Sequence, residues 1–241
     1  MTKPNAVLFD LDGCLVDSEP LSLQSLASEM QEVGVPGASY EMTRDHYLGW
    51  SLTDVSKDVT KRLGKPCPPD LSEKYHQRLF ALYERDGLPL VDTMVALHDR
   101  LFEAGLVTAI ASGGSPDRIV RSLNASGLMG RFEGRTYSGE EVERGKPAPD
   151  LFLYAARKLG LEPSTCVVVE DSPHGIEGAV AAGMRAFGFT GGSHLDGIRD
   201  QHRELLLSKG AEAVCENAMD LFDHIMGVAE DGSAKAREAM S

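Results

Sequence analysis

The sequence predicts an α/β protein with a doubly wound parallel sheet of the Rossmann-like kind and an inserted, small all-helical domain. Three observations lead to this prediction. Short apolar runs recur along the chain, helical patterns fill the intervals between them, and one long interval, residues 18–86, has no strand-like run. Apolar runs suit strands that are buried on both faces, and their alternation with helices is typical of a parallel sheet covered by helices.

Four apolar runs are the predicted strands. The first comprises residues 6–9 and ends at Asp10. The others comprise residues 107–111, 166–169 and, with a weaker pattern, 185–189. Polar or glycine residues follow each run, and an open parallel sheet binds its ligand at the carboxyl ends of its strands. Functional residues are therefore expected at these ends.

Helical periodicity predicts the helices that connect these strands. Pro116 suits the first turn of one helix, and Gly183 suits the end of another. The predicted helices are 91–104, 116–125, 151–159 and 175–182.

Residues 18–86 break the alternation and are predicted to be helical. Apolar residues from Leu21 to Val33 form one helical stripe, and residues 71–85 form a second amphipathic stretch. A compact helical cap, inserted after Asp17, is the simplest arrangement. The predicted domains are an α/β core (1–17 and 87–229), the helical cap (18–86) and a polar, frayed tail (230–241).

The charge balance limits the classes of partner. The 241 residues include 24 Lys and Arg against 37 Asp and Glu, which gives a net charge of −13, and there is no basic run. Because binding to a phosphate backbone depends on Lys and Arg, we expect neither nucleic acid nor an anionic membrane as a partner. A small anionic substrate is compatible with this charge, since a few cations or a metal can reverse the local field.

The cysteines and the apolar segments favour a cytoplasmic location. The four cysteines are scattered and are expected to be free thiols of a reducing compartment. The first apolar run is too short for a signal peptide, and no segment approaches the length of a membrane helix. We expect a cytoplasmic protein that acts as a monomer.

The clearest candidate for chemistry is Asp10-Leu11-Asp12-Gly13, directly after the first predicted strand. Two carboxylates two residues apart repel each other unless a cation neutralises them. Mg²⁺ prefers oxygen ligands and suits this arrangement. The alternative interpretation is a turn that caps the following helix.

Three further polar sets follow other strands or lie in a fixed loop. Ser112 and Gly113 offer a hydroxyl and a backbone amide at a helix N-terminus, which suits an anion of the size of phosphate. Lys146 has prolines close after it, and Glu170 and Asp171 end another strand. Each set alone also suits an ordinary turn, a solvated lysine or a helix cap. Together they supply acids for a metal, an anion cradle and a fixed cation, which phosphoryl transfer requires.

These four sets resemble, in their order, the motifs of the haloacid dehalogenase-like hydrolases. The resemblance is closer to the branch of β-phosphoglucomutase-like enzymes and sugar-phosphate phosphatases with a helical cap, and it covers nearly the whole chain. The residues that carry it are Asp10-x-Asp12-Gly13, Ser112, Gly145-Lys146-Pro147-x-Pro149-Asp150, Glu170-Asp171-Ser172-x-x-Gly175 and Ala179-x-x-Ala182-Gly183-Met184.

The resemblance implies roles for the acidic residues. Asp10 would be the nucleophile that forms an aspartyl phosphate, and Asp12 would be the general acid and then the base. Mg²⁺ would bind the Asp10 carboxylate, the main-chain carbonyl of Asp12 and Asp171. Glu170 would bind the metal directly or through water.

The resemblance also implies how the substrate is held. Ser112, the Gly113 amide and Lys146 would contact the phosphoryl oxygens, and the cap would close over the cleft. Trp50 would lie in the substrate-specificity loop of the cap. The alternative for Trp50 is an aromatic residue in the core of the cap.

Asp12 favours phosphoester chemistry, because relatives that dehalogenate or cleave carbon–phosphorus bonds lack an acid at this position. In β-phosphoglucomutase a cap histidine and a cap arginine lie where this chain has Ser22 and, approximately, Leu52. The prediction is therefore a phosphatase that acts on a sugar phosphate, with a phosphosugar mutase as the alternative.

A second alternative is not an enzyme but a receiver-like switch or an inactive phosphate-binding relative. The length of the chain, the helical cap and the complete set of catalytic positions argue against it. The seven histidines show no metal-ligand spacing. His174 is expected at the surface, with a position that faces the cleft as the alternative. Residues 191–194 are expected to form an ordinary loop, with a place at the rim of the site as the alternative.

Overall fold

A computed structural model describes residues 3–227 of the chain, and six parallel strands form one sheet in this range. The strand order is β3-β2-β1-β4-β5-β6, which reverses its direction of winding between β1 and β4. The strands are β1 (Ala6–Phe9), β2 (Val107–Ser112), β3 (Thr136–Ser138), β4 (Cys166–Glu170), β5 (Arg185–Phe189) and β6 (Ala213–Cys215). The predicted doubly wound parallel sheet is confirmed, and the predicted tail, 230–241, lies outside the described residues.

Apolar side chains cover both faces of the sheet. Val7 and Phe9 of β1 belong to one buried cluster, whereas Ala6 and Leu8 belong to the other. Successive side chains of a strand point to opposite faces, so a strand with two covered faces needs apolar residues at every position. This is why the sequence shows continuous apolar runs rather than alternation.

Four of the five helices between β1 and β2 lie in residues 19–86, all described, which contain no strand. They are α1 (Glu19–Glu32), α2 (Tyr40–Tyr47), α3 (Leu52–Leu63) and α4 (Leu71–Asp86). We call residues 19–86 the helical insert. That the insert is a separate cap domain remains a prediction, because apolar side chains of the insert and of the sheet belong to one buried cluster.

The chain enters and leaves the helical insert at neighbouring points. The Asp17 amide donates to the Pro89 carbonyl over 2.9 Å, and the Val91 amide donates to the Leu15 carbonyl over 3.0 Å. The two connections therefore lie side by side, close to the end of β1.

The helices that connect the strands agree with the predicted ones to within about two residues. They are α5 (Asp92–Glu103), α6 (Pro116–Ser126), α7 (Met129–Phe132), α8 (Asp150–Leu159), α9 (Pro173–Ala181), α10 (Arg199–Ser208) and α11 (Leu221–Met226). No pattern in the sequence had predicted α7, α10 and α11. Cys14, Cys67, Cys166 and Cys215 are free, as expected. Within residues 3–227, no helix has both the length and the apolar character that crossing a membrane requires.

Candidate active site

The carboxyl ends of three neighbouring strands bring the predicted polar sets to one edge of the sheet. β1 lies between β2 and β4, and Phe9 pairs with Ile110 on one side and with Val169 on the other. Asp10 follows β1 directly, Ser112 ends β2, and Glu170 ends β4. The three polar groups are thus held by buried strands rather than by loops alone.

Lys146 joins two of these strand ends. Its Nζ lies 2.6 Å from Asp10 Oδ1 and also donates to Glu170 Oε1. Burial alone would lower the pKa of Lys146, but the negative charges of Asp10 and Glu170 raise it instead. The lysine therefore remains a cation between two carboxylates, with little of its side chain exposed.

Glu170 is fully buried, and both of its oxygens are in use. Oε1 accepts from Lys146, and Oε2 accepts from the backbone amide of Ser172 over 2.9 Å. A Cβ at position 175 would overlap the Glu170 carboxylate, so only glycine fits there. This contact explains the glycine of the Glu-Asp-Ser-x-x-Gly motif.

The acidic residues fit a divalent metal ion. Asp10, Glu170 and Asp171 are buried, and each offers an oxygen within 4.8 Å of the others. Burial raises the pKa of Asp10, with Glu170 and Asp171 adding to this effect and Lys146 opposing it. Burial likewise raises the pKa of Glu170. One lysine cannot neutralise three carboxylates, and an oxygen-only donor set suits a hard cation such as Mg²⁺.

The Asp12 side chain makes a different set of contacts. Its Oδ1 accepts from Ser18 Oγ over 2.5 Å and lies 3.0 Å from Arg118 Nη2. Its carboxylate does not belong to the cluster of Asp10, Glu170 and Asp171. The metal contact predicted for its main-chain carbonyl remains a prediction.

Arg118 is a site residue that the sequence analysis missed. It lies in the first turn of α6, and its Nη1 donates to Tyr75 Oη in α4 over 3.2 Å. Tyr75 Oη in turn lies 2.8 Å from Ser22 Oγ. Arg118 therefore links Asp12 to the helical insert. Cations are disfavoured in the first turn of a helix, so an arginine two residues after Pro116, in the first turn of the predicted helix, was a usable signal.

The loop after β2 is held by its own hydrogen bonds. Ser112 is buried, and its Oγ accepts from the Gly114 amide over 3.1 Å. Ser138 in β3 donates to the Gly114 carbonyl over 2.6 Å, and Ser115 accepts from the Arg118 amide to cap α6. Gly113 lies between these contacts, exposed at the edge of the sheet.

Trp50 lies in the loop between α2 and α3 and is 47% exposed. Its ring meets Tyr47 edge-on, with 5.5 Å between the centroids. The interpretation as an aromatic residue of the cap core is therefore wrong, while the substrate-binding role remains a prediction. A Cβ at Gly49 would lie 3.9 Å from Nδ1 of His174, which is half-buried rather than on the open surface.

His194 is the second residue that the sequence analysis missed. It is buried, and its Nε2 lies 3.1 Å from Asp171 Oδ2. Burial alone would lower the pKa of His194, but the hydrogen bond and the charge of Asp171 raise it. The expectation that residues 191–194 form an ordinary loop is therefore wrong. A histidine five residues after β5 was the only signal in the sequence.

Glu19 should make the stability of the metal-free protein depend on pH. Burial raises the pKa of Glu19 to about 7, with Arg118 and His194 opposing the shift and Asp12 and Asp171 adding to it. Between an ordinary glutamate pKa of about 4.3 and this value, the folded protein holds a proton that the unfolded chain releases, so stability falls as the pH rises through that window. We expect Glu19→Gln to be more stable than the wild type at pH 8, by an amount on the order of 1–3 kcal/mol, with a much smaller difference at pH 5.

Urea unfolding of the chelator-treated protein at both pH values measures this difference. Glu133→Gln, at an exposed position, is the matched control and should show no pH-dependent gain. An equal difference in unfolding free energy between Glu19→Gln and the wild type at both pH values would contradict the raised pKa of Glu19.

Comparison with known proteins gives a family match and several close relatives. Residues 4–183 match the model of the haloacid dehalogenase-like hydrolases. The chain is 32% identical over 189 residues to hexitol phosphatase B of Escherichia coli (strain K12), with 75% of this chain and 81% of that protein covered. It is 33% identical over 193 residues to the protein SUPPRESSOR OF QUENCHING 1, chloroplastic, of Arabidopsis thaliana. There, 76% of this chain matches only 17% of a much longer protein.

A solved structure with a similar fold comes from Agrobacterium tumefaciens str. C58. This conserved haloacid dehalogenase-like protein of unknown function is 35% identical to the chain, with a TM-score of 0.78. The similarity covers 94% of this chain and 99% of that one. It therefore extends over the sheet and the helical insert together.

Proposed function

We propose, from the premise that this chain belongs to the haloacid dehalogenase-like hydrolases, that it removes phosphate from a small sugar or sugar-alcohol phosphate and that it requires Mg²⁺. The enzyme class is phosphoric monoester hydrolase. The observation that carries the proposal is the buried contact of Lys146 with Asp10 and Glu170, beside Asp171, at the switch point of the sheet.

Asp10 would act as the nucleophile. Its carboxylate oxygen attacks phosphorus, the ester oxygen of the substrate leaves as an alcohol, and an aspartyl phosphate forms. Water then attacks this phosphorus, which releases inorganic phosphate and restores the Asp10 carboxylate. The ion pair with Lys146 supports this role, because it favours the ionised form of a buried carboxyl group that burial would otherwise protonate.

Asp12 would transfer the protons. It would give a proton to the leaving oxygen in the first step and take one from water in the second. Ser18 and Arg118 hold its carboxylate, which lies outside the acidic cluster, and this is consistent with a role separate from metal binding.

Lys146, Ser112 and the Gly113 amide would hold the phosphoryl group. They bring a positive charge and hydrogen-bond donors to the strand ends where negative charge develops in the transition state. Asp10, Asp171 and Glu170 would hold the Mg²⁺, and the ion would neutralise phosphoryl oxygens during the displacement. Glu170 would bind the ion directly or through water. Its two oxygens also accept hydrogen bonds, one from Lys146 and one from the Ser172 amide.

The helical insert would act as a cap that excludes bulk water. Its contacts with the site, through Tyr75 to Arg118 and through Gly49 beside His174, support this role. The Nε of Arg118 is buried without a hydrogen-bond partner among residues 3–227. Trp50, exposed on the neighbouring loop, is the proposed aromatic contact. A cytoplasmic location remains a prediction that the four free thiols support.

Release of inorganic phosphate from a panel of phosphate esters tests the proposal. The panel includes hexitol phosphates, hexose 6-phosphates and hexose 1-phosphates, each with and without Mg²⁺, and the organic product is followed in parallel. We expect metal-dependent release from at least one sugar or sugar-alcohol phosphate. Conversion of a hexose 1-phosphate to its 6-phosphate, without release, would instead identify a mutase. That outcome is not favoured, because the position of the mutase histidine is Ser22, which bonds Tyr75.

A further inference from the structure

Asp171 is held at two points by histidines that lie outside the four motifs. His194 Nε2 lies 3.1 Å from the side-chain oxygen Oδ2, and His202 Nε2 donates to the main-chain carbonyl over 2.6 Å. Both histidines are buried. Residue 183 is the last that the family model matches, so neither histidine belongs to the matched region.

Separate elements place the two histidines around Asp171. His194 lies in a short 3₁₀ turn after β5, and His202 lies in α10. The segment that follows β5 therefore contacts the residue that follows β4, with one contact to the side chain and one to the backbone. Such a pair of contacts restrains both the rotamer of the carboxylate and the position of its Cα.

The His194 ring packs against the loop that carries the first two acids. A Cβ at Gly13 would lie 2.8 Å from His194 Cε1 and would overlap the Asp171 carboxylate. Gly13 also has a positive φ of 79°, which favours glycine. The absence of a side chain at position 13 thus allows the imidazole, the carboxylate and the loop to meet.

The other ring nitrogen of His194, Nδ1, is buried in this position and has no hydrogen-bond partner among residues 3–227. A buried polar atom without a hydrogen bond destabilises a fold. The position of the His194 ring is therefore not explained by hydrogen bonds to both of its nitrogens. The polar contact that the ring does make in this position is the one between Nε2 and Asp171.

We infer that His194 and His202 are positioning residues that fix Asp171 for the divalent metal. This inference rests on the metal site of the proposed function. A carboxylate that binds a metal through one oxygen is oriented by a hydrogen bond to the other, and such outer contacts commonly change metal affinity by about 10–100-fold. The two histidines act on the metal only through Asp171.

Titration with Mn²⁺, followed by the electron paramagnetic resonance of the free ion, tests the inference without substrate or turnover. Competition with Mg²⁺ then gives the affinity for that ion. His194→Leu and His202→Leu remove the donated hydrogen bonds, whereas His194→Gln and His202→Gln keep an N–H donor. We expect the leucine variants to bind Mn²⁺ about 10–100-fold more weakly and the glutamine variants to recover most of that loss.

His98→Leu is the matched control. His98 is also buried, and its Nε2 bonds Thr108 on a different part of the sheet. Its replacement should lower the free energy of unfolding but leave the affinity for Mn²⁺ unchanged. Urea unfolding of every variant in chelator separates loss of fold from loss of metal affinity.

Two results would overturn the inference. One is wild-type affinity for Mn²⁺ in both folded leucine variants, and the other is an equal loss in the leucine and glutamine variants. Failure of the proposed metal site itself would look different, because Asp171→Asn would then leave the binding of Mn²⁺ unchanged. If both leucine variants failed to fold, the two glutamine variants and His98→Leu would decide the question, with at most a small loss of affinity for Mn²⁺ required of the glutamine variants and no loss required of His98→Leu.

Discussion

Replacement of Asp10 by asparagine should reduce phosphate release by about 10³-fold or more in kcat while the protein keeps its fold. The amide has nearly the same shape but is a poor nucleophile, so no aspartyl phosphate forms. The change also removes one of the three buried carboxylates, so mutual repulsion in the cluster decreases. The lost ion pair with Lys146 offsets part of that gain, and Lys146 retains Glu170 as a partner.

Steady-state phosphate release, with far-UV circular dichroism of the same samples, measures both halves of this expectation. Asp200→Asn changes an exposed aspartate in the same way and should turn over like the wild type. Wild-type rates in a folded Asp10→Asn variant would refute Asp10 as the nucleophile and would leave the enzyme class intact.

Lys146→Met should have the largest effect on stability. Methionine has a similar length but no charge, so Asp10 and Glu170 would lose their common partner inside the protein. Removal of one partner from a buried ion pair costs about 3–5 kcal/mol, because the remaining charge stays buried and uncompensated. We expect a loss of this size in the metal-free protein at pH 8, and Mg²⁺ should restore part of it by binding only the folded state.

Urea unfolding with and without Mg²⁺ gives both quantities. Lys158→Met, on the exposed side of α8, is the matched control and should change the unfolding free energy little. If Lys146→Met proved as stable as Lys158→Met without metal, the two carboxylates would have to be neutral, and the electrostatic account of the site would fail.

The sequence predicted the four inner strands because burial on both faces imposes apolar residues at most positions. It did not predict β3 and β6, each of which has three residues at an edge of the sheet, with partly exposed positions. Such a segment is too short to show a period, and its pairing depends on a neighbouring strand far away in the chain. Edge strands are therefore decided by tertiary structure rather than by local pattern.

The residues of the candidate site also fall into two groups, those that a local motif predicts and those that tertiary packing brings to the site. Asp10, Lys146 and Glu170 stand in short motifs next to strands or prolines, so their types and spacing were visible in the sequence. Arg118 and His194 reach the site from the side of a helix and from a turn, and no short motif contains them. Only the packing of α6 on the insert, and of the loop after β5 on Asp171, brings these two residues to the candidate site.

The neighbouring entry and exit of the helical insert have an evolutionary consequence. Because Asp17 and Leu15 bond Pro89 and Val91 at one place, the two ends of the insert stay together whatever the length of the segment between them. A gene could lengthen, shorten or exchange this segment without altering the order of the strands or the positions of the acids. If the helical insert contacts the substrate, as proposed, substrate preference would diverge in one part of the chain while the residues at the strand ends are inherited unchanged in another.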